Sequence, residues 1–169
     1  MASRDMALRD AFHYQLEEYI KPLDAEEYEK QFSEQAFYVI PDSVTKIEES
    51  CFSDCEALRY VDIPSSVKEI GSLAFFKCKG FETISIPDGV ESIGSDGFSY
   101  CAKVTYIYVP ASVKFIGHHA FYGNLDCDKI YLGAEDEASV ETGENWIPKQ
   151  SPTSLKDIEV VYGQERRAN

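Results

Sequence analysis

Apolar positions return along this chain every 23 residues, at the same offsets in each copy. A period of that length marks a stacked-repeat architecture, in which each unit buries its apolar face only against its neighbours. The copies begin at Ile40, Ile63, Ile86 and Val109, each followed by a proline. Next come Val44, Val67, Val90 and Val113, then Ile47, Ile70, Ile93 and Ile116. The phenylalanines Phe52, Phe75, Phe98 and Phe121 follow, each preceded by the small residues Cys51, Ala74, Gly97 and Ala120. Leu58, Phe81, Val104 and Cys127, then Val61, Ile84, Ile107 and Ile130, complete the inward set.

Within each copy the spacing predicts local structure. Around Val61, Ile84 and Ile107 apolar and polar residues alternate with period two, as in a short strand with one buried face. The proline that follows has no amide donor and stops the ladder. Gly71, Gly94 and Gly117 share one offset, where a positive φ or a tight turn suits glycine; the first copy has Glu48 there.

The phrase built by these positions, proline-valine-isoleucine-glycine-alanine-phenylalanine-cysteine, resembles the BspA-like, or Treponema-type, leucine-rich repeats over residues 36–133. That resemblance implies an α/β repeat fold: a right-handed solenoid with one short parallel strand per repeat. It also implies interaction or surface adhesion rather than catalysis, and names no ligand.

Both ends read as caps. Ala7, Leu8, Ala11, Phe12, Leu16, Tyr19 and Ile20 recur at helical spacing before Pro22, and Asp24 with Glu27 forms a capping box for a second helix to about Gln35. The expected organisation is therefore a helical N-terminal cap over 1–36, four repeats over 37–133 and an acidic C-terminal cap over 134–169. In the last segment Trp146 is expected to cover the final coil. Asp157 to Tyr162 is expected to add a strand, with Ile158 and Val160 inward, and Gln164 to Asn169 to fray. The N-terminal helices could instead bind a partner or dimerise.

Charge narrows the partners. The net charge of −14 is spread along the whole chain, so its field repels nucleic-acid phosphates and anionic membranes and favours a basic partner. No apolar run is long enough to span a membrane, and the charged first ten residues do not resemble a secretory signal. As written, the sequence points to the cytoplasm; the resemblance points to a secreted or cell-surface protein whose signal has been removed.

Candidate chemistry mostly falls back into the core. Cys55, Cys78 and Cys101 occupy one offset, which the fourth copy fills with Asn124. An amide there donates to a turn carbonyl, and a thiol is a weaker substitute donor. Neighbouring rungs are close enough for a disulfide, but parallel side chains meet its torsion poorly, and zinc prefers close C-x-x-C pairs, which are lacking. His118, His119, Asp126 and Cys127 suggest a dyad, yet Cys127 takes the core offset of Leu58. No catalytic residue, metal ligand or cofactor is expected.

The outward strand positions carry the functional expectation. They are Phe37 and Val39, then Tyr60, Asp62, Thr83, Ser85, Tyr106, Tyr108, Lys129 and Tyr131, and the last eight form the candidate ligand-binding face. Tyrosine gives a large amphipathic contact at low entropic cost, although aromatic residues also favour strands for their own sake. Lys114 and Phe115 suggest a second patch beside it. Five or six strands give a face roughly 25 Å wide at about 4.8 Å per strand, narrow against the roughly 800 Å² per partner of a standard interface. The expected function is thus a non-catalytic module that binds a protein or peptide through its strand face and flanking loops, with a glycan as a further fitting ligand. The alternative is a fragment of a bacterial cell-surface adhesin or structural repeat protein.

Overall fold

The computed structural model describes residues 37–147 and 158–163. In chain order the strands are β1 (Phe37–Val39), β2 (Lys46–Ile47), β3 (Tyr60–Asp62), β4 (Glu69–Ile70), β5 (Thr83–Ser85), β6 (Ser92–Ile93), β7 (Tyr106–Val109), β8 (Phe115–Ile116), β9 (Lys129–Leu132), β10 (Glu141–Thr142) and β11 (Glu159–Val161). All pairings are parallel, and paired residues in the repeats are 23 positions apart. The result is a parallel-strand β-solenoid of about five turns.

Each coil carries two strands where the sequence reading expected one. The second, two-residue strand contains the buried Ile47, Ile70, Ile93 or Ile116, and these join β2, β4, β6, β8 and β10 into one five-stranded ladder. A third side closes each coil through turns that also bond to the next coil. Phe52, Phe75 and Phe98 N–H groups donate to the carbonyls of Ala74, Gly97 and Ala120, each at 2.8 Å. Among the described residues the only helical element is a 3-10 turn, Glu137–Ser139. The α/β expectation is therefore corrected to an all-β solenoid over these residues. The helical cap expected over 1–36 and the frayed Gln164–Asn169 lie outside them.

The core follows the repeat offsets closely. Phe52, Phe75, Phe98 and Phe121 stack ring on ring, with centroids 5.1, 4.8 and 5.9 Å apart. Tyr38 covers one end of this stack at 5.4 Å from Phe52, and Trp146 the other at 6.5 Å from Phe121. Trp146 stands at the offset of Ala74 and Ala120: the Phe121 N–H donates to its carbonyl, as Phe98 does to Ala120. Ile158 and Val160 pack against the core as expected.

Of the two reasons expected for the glycine row, a positive φ is not the one. Gly71, Gly94 and Gly117 do not have positive φ; in these turns that conformation falls on Leu73, Asp96 and His119. What the glycines permit is close approach, since a Cβ at Gly94 would lie 2.4 Å from the Ser72 nitrogen and one at Gly117 2.5 Å from that of Ser95. Gly143 extends the row onto His118. Glu48 takes this offset in the first described coil, facing residues before Phe37 that lie outside the description.

One pairing in the strand row is missing. β1 pairs with β3, and β5 through β11 form a four-stranded sheet, but β3 and β5 do not pair. Ile40 and Ile86 donate to the carbonyls of Asp62 and Tyr108, whereas the equivalent bond from Ile63 to Ser85 is not made. The bond from Glu82 to Arg59, equivalent to those from Thr105 to Glu82 and Asp128 to Thr105, is also missing. Phe81 explains the parting: it puts a phenyl ring where the other coils carry Leu58, Val104 and Cys127, and it lines the resulting gap. A bulkier side chain at one rung of a close-packed stack must separate the coils locally.

Two outcomes are expected. Gly94→Ala costs about 2 kcal/mol of unfolding free energy through overpacking, while Glu48→Ala stays within about 0.5 kcal/mol, as read by urea denaturation. In amide exchange monitored by NMR, the Ile63 N–H exchanges at least about tenfold faster than those of Ile40 and Ile86.

Candidate functional site

The thiol row is a structural ladder. The Cys78 thiol donates to the Phe52 carbonyl at 3.2 Å and Cys101 to that of Phe75 at 3.3 Å, each across 26 residues. Asn124 continues the series, its Nδ2 donating to the Phe98 carbonyl at 3.1 Å. One chemical need, a donor for a turn carbonyl of the preceding coil, explains both residue types. Burial pushes the Cys101 thiol from its ordinary 9.0 up to about 12, against a smaller lowering by a hydrogen bond with the Cys78 backbone. The same desolvation, aided by the neighbouring Cys101 and Cys55, pushes Cys78 higher still. Protonated, buried thiols are poor nucleophiles and poor metal ligands. None of the five cysteines is in a disulfide.

The histidine and cysteine considered as a dyad have separate partners. Cys127 is fully buried and its thiol lies 3.5 Å from the Lys129 carbonyl. His119 is half-buried at the turn edge, where its Nε2 is 3.4 Å from Asn145 Nδ2 and its ring is 5.1 Å from that of Tyr122. Among the described residues no cluster of three or more histidines, cysteines and carboxylates could hold a metal ion.

The strand face brings six of the eight expected residues into one grid. Thr83, Tyr106 and Lys129 align across β5, β7 and β9, and Ser85, Tyr108 and Tyr131 align beside them. Inward-facing Ile84, Ile107 and Ile130 hold these strands on the core, so alternate residues must point to solvent. The rings of Tyr106 and Tyr131 meet edge to face at 6.3 Å, a diagonal cross-strand contact. Lys129 Nζ pairs with Glu159 on β11 at 2.7 Å; that hydrogen bond, then the carboxylate charge, raises the lysine pKa. Tyr60 and Asp62 stand apart, across the β3–β5 gap from Thr83 and Ser85. Exposure rises toward the N-terminal end: Tyr106 is 42% exposed, Tyr60 57% and Phe37 61%.

A second aromatic row runs along the turn edge, and the sequence reading missed it. Phe76, Tyr100 and Tyr122 follow one another at 5.6 and 5.7 Å, each contact edge to face. Lys77 lies over the Phe76 ring at 4.9 Å. The signal was present one or two positions after Phe75, Phe98 and Phe121, but Tyr100 sits one offset later than Phe76 and Tyr122. Phe115, expected in a second patch, is exposed on β8, in the other ladder of the coil. No helix among the described residues is long and apolar enough to cross a membrane.

A family profile described as "BspA type Leucine rich repeat region" matches residues 25–139 in six copies. Among solved structures, a leucine rich repeat protein of T. pallidum is similar over 66% of this chain and 53% of its own, at 26% identity and a TM-score of 0.59. A leucine-rich repeat protein from Bacteroides ovatus is similar over 66% of this chain and 45% of its own (23% identity, TM-score 0.47). A leucine rich cell surface protein from Faecalibacterium prausnitzii is similar over 68% and 47% (20% identity, TM-score 0.33). The chain thus spans about half the length of these proteins. No curated protein matches it.

Thiol chemistry is testable directly. In the native protein at pH 8, Cys78 and Cys101 resist alkylation by iodoacetamide, and urea exposes both, as read by mass spectrometry. Unfolded thiols ionise near 9.0 while folded Cys101 holds its proton to about 12. This contribution to stability is therefore complete below the unfolded value and is lost as pH rises through the window between the two. The melting temperature falls above pH 9, and Cys101→Asn makes that fall shallower.

Proposed function

From its membership of the BspA-type leucine-rich repeat family, we propose that this protein is a non-catalytic module that binds a protein or peptide through its strand face and flanking loops. One observation carries the reading. Strands β3, β5, β7 and β9 each anchor an inward aliphatic residue, and the outward positions beside these are given to Tyr60, Tyr106, Tyr108 and Tyr131 with small polar and charged neighbours.

The ligand-binding residues on this reading are Tyr60, Asp62, Thr83, Ser85, Tyr106, Tyr108, Lys129 and Tyr131. Tyrosine rings supply anchoring area, while hydroxyls and the carboxylate choose register and orientation. A long-range negative field from a chain of net charge −14 favours a basic partner. Within the expected C-terminal closure, 134–169, the packing of Trp146 against Phe121 supports a capping role. The coil takes the right-handed sense of almost all parallel crossover connections.

Capture on the immobilised chain, followed by titration of the captured partner, tests the reading. Tyr106→Ala with Tyr108→Ala weakens binding at least about tenfold, the cost of removing central aromatic anchors. The melting temperature of the variant stays within a few degrees of the parent, because both side chains point outward. Undiminished affinity in the double variant would remove the strand face as the binding surface.

A further inference from the structure

We propose that the gap between β3 and β5 is the anchor pocket of the strand face, taking one short aliphatic side chain from an extended, basic partner peptide. The inference rests on the binding reading above and goes further, because it selects one rung and one ligand chemistry. The gap opens a cleft of about 80 Å³ between Tyr60–Ile63 on one side and Thr83–Pro87 on the other, with Phe81 and Phe98 beneath. Val61 shows the effect: its counterparts Ile84, Ile107 and Ile130 are buried, whereas Val61 is only half-buried.

Size and lining choose the occupant. The cleft, about 80 Å³, is on the scale of one aliphatic side chain. Val61, Ile84, Phe81 and Phe98 make the floor apolar, so an aliphatic group gains dispersion contacts there that water does not supply. The rim is polar. Asp62, Thr83 and Ser85 stand exposed around the opening, and Tyr60 flanks it.

The broken ladder supplies what a peptide backbone needs. The N–H groups of Ile63 and Glu82 and the carbonyls of Ser85 and Arg59 lack the coil-to-coil bonds that their counterparts make. Such groups are complementary to the donors and acceptors of an extended chain, and pockets for alternate side chains then provide specificity. The Asp62 carboxylate at the rim, with the net charge of −14 behind it, selects lysine or arginine beside the aliphatic residue.

A display library of random linear peptides, selected on the intact chain, tests this with two variants. Phe81→Leu restores the residue of the first coil, Leu58, and is expected to close the gap. Asp62→Lys alters the rim at an exposed position and leaves the core untouched, so it tests the site even where Phe81→Leu does not fold. Recovered peptides should carry an aliphatic residue beside lysine or arginine, and bind each variant at least about tenfold more weakly than the parent. Peptides that bind both variants as well as the parent, yet lose binding to the Tyr106→Ala, Tyr108→Ala chain, would overturn the anchor pocket and leave the strand face standing. Failure to recover any peptide that depends on either set of residues would overturn both.

Discussion

Successive coils of this solenoid approach so closely that a single Cβ decides whether they fit. At the glycine row, an added methyl would sit 2.4 to 2.8 Å from the backbone of the previous coil. That spacing is shared by all three sides of the coil: the two strand ladders and the hydrogen-bonded turns behind the phenylalanines. A residue on any inward position is then chosen by the gap left to its equivalents, which is why phenylalanine stacks on phenylalanine and isoleucine on isoleucine. Variation is cheap only where the side chain leaves the stack.

The thiols illustrate the same constraint for polar groups. A carbonyl turned into the core must find a donor, since leaving it unpaired costs roughly 1–3 kcal/mol. Cys78, Cys101 and Asn124 all meet that need from one offset. The groups that look most reactive along the chain are therefore committed to holding coils together, and their raised pKa values follow from the burial that this requires. Freedom to vary is left to the strand face and the turn edge, where side chains do not touch the next coil through the core. Phe81 is the informative exception, because an oversized core residue opens the sheet above it.

Much of this was legible in the sequence for a simple reason: four copies of one phrase average out local ambiguity. The inward set, the ladder of Cys78, Cys101 and Asn124, and the outward row of tyrosines all follow from alignment alone. The second strand was missed because two residues are too few to show an alternation, and Ile47 or Ile70 looks the same in a turn as in a ladder. The purpose of Gly94 was misjudged because a sequence shows what glycine permits, not which backbone lies against it. The parting of β3 from β5 depends on the bulk of Phe81 relative to Leu58 and Val104, a comparison of volumes that the hydrophobic pattern treats as equal. The turn-edge row of Phe76, Tyr100 and Tyr122 escaped because its members drift by one offset.

Two aromatic rows are therefore candidates for the proposed binding surface, and one measurement separates them. Hydrogen exchange read by mass spectrometry, on the chain alone and with its captured partner, maps which edge becomes protected. Protection concentrated in segments 60–63, 83–86, 106–109 and 129–132 is the result that a binding strand face predicts. Protection confined to the turns around Phe76, Tyr100 and Tyr122, with the strand segments unchanged, would contradict it.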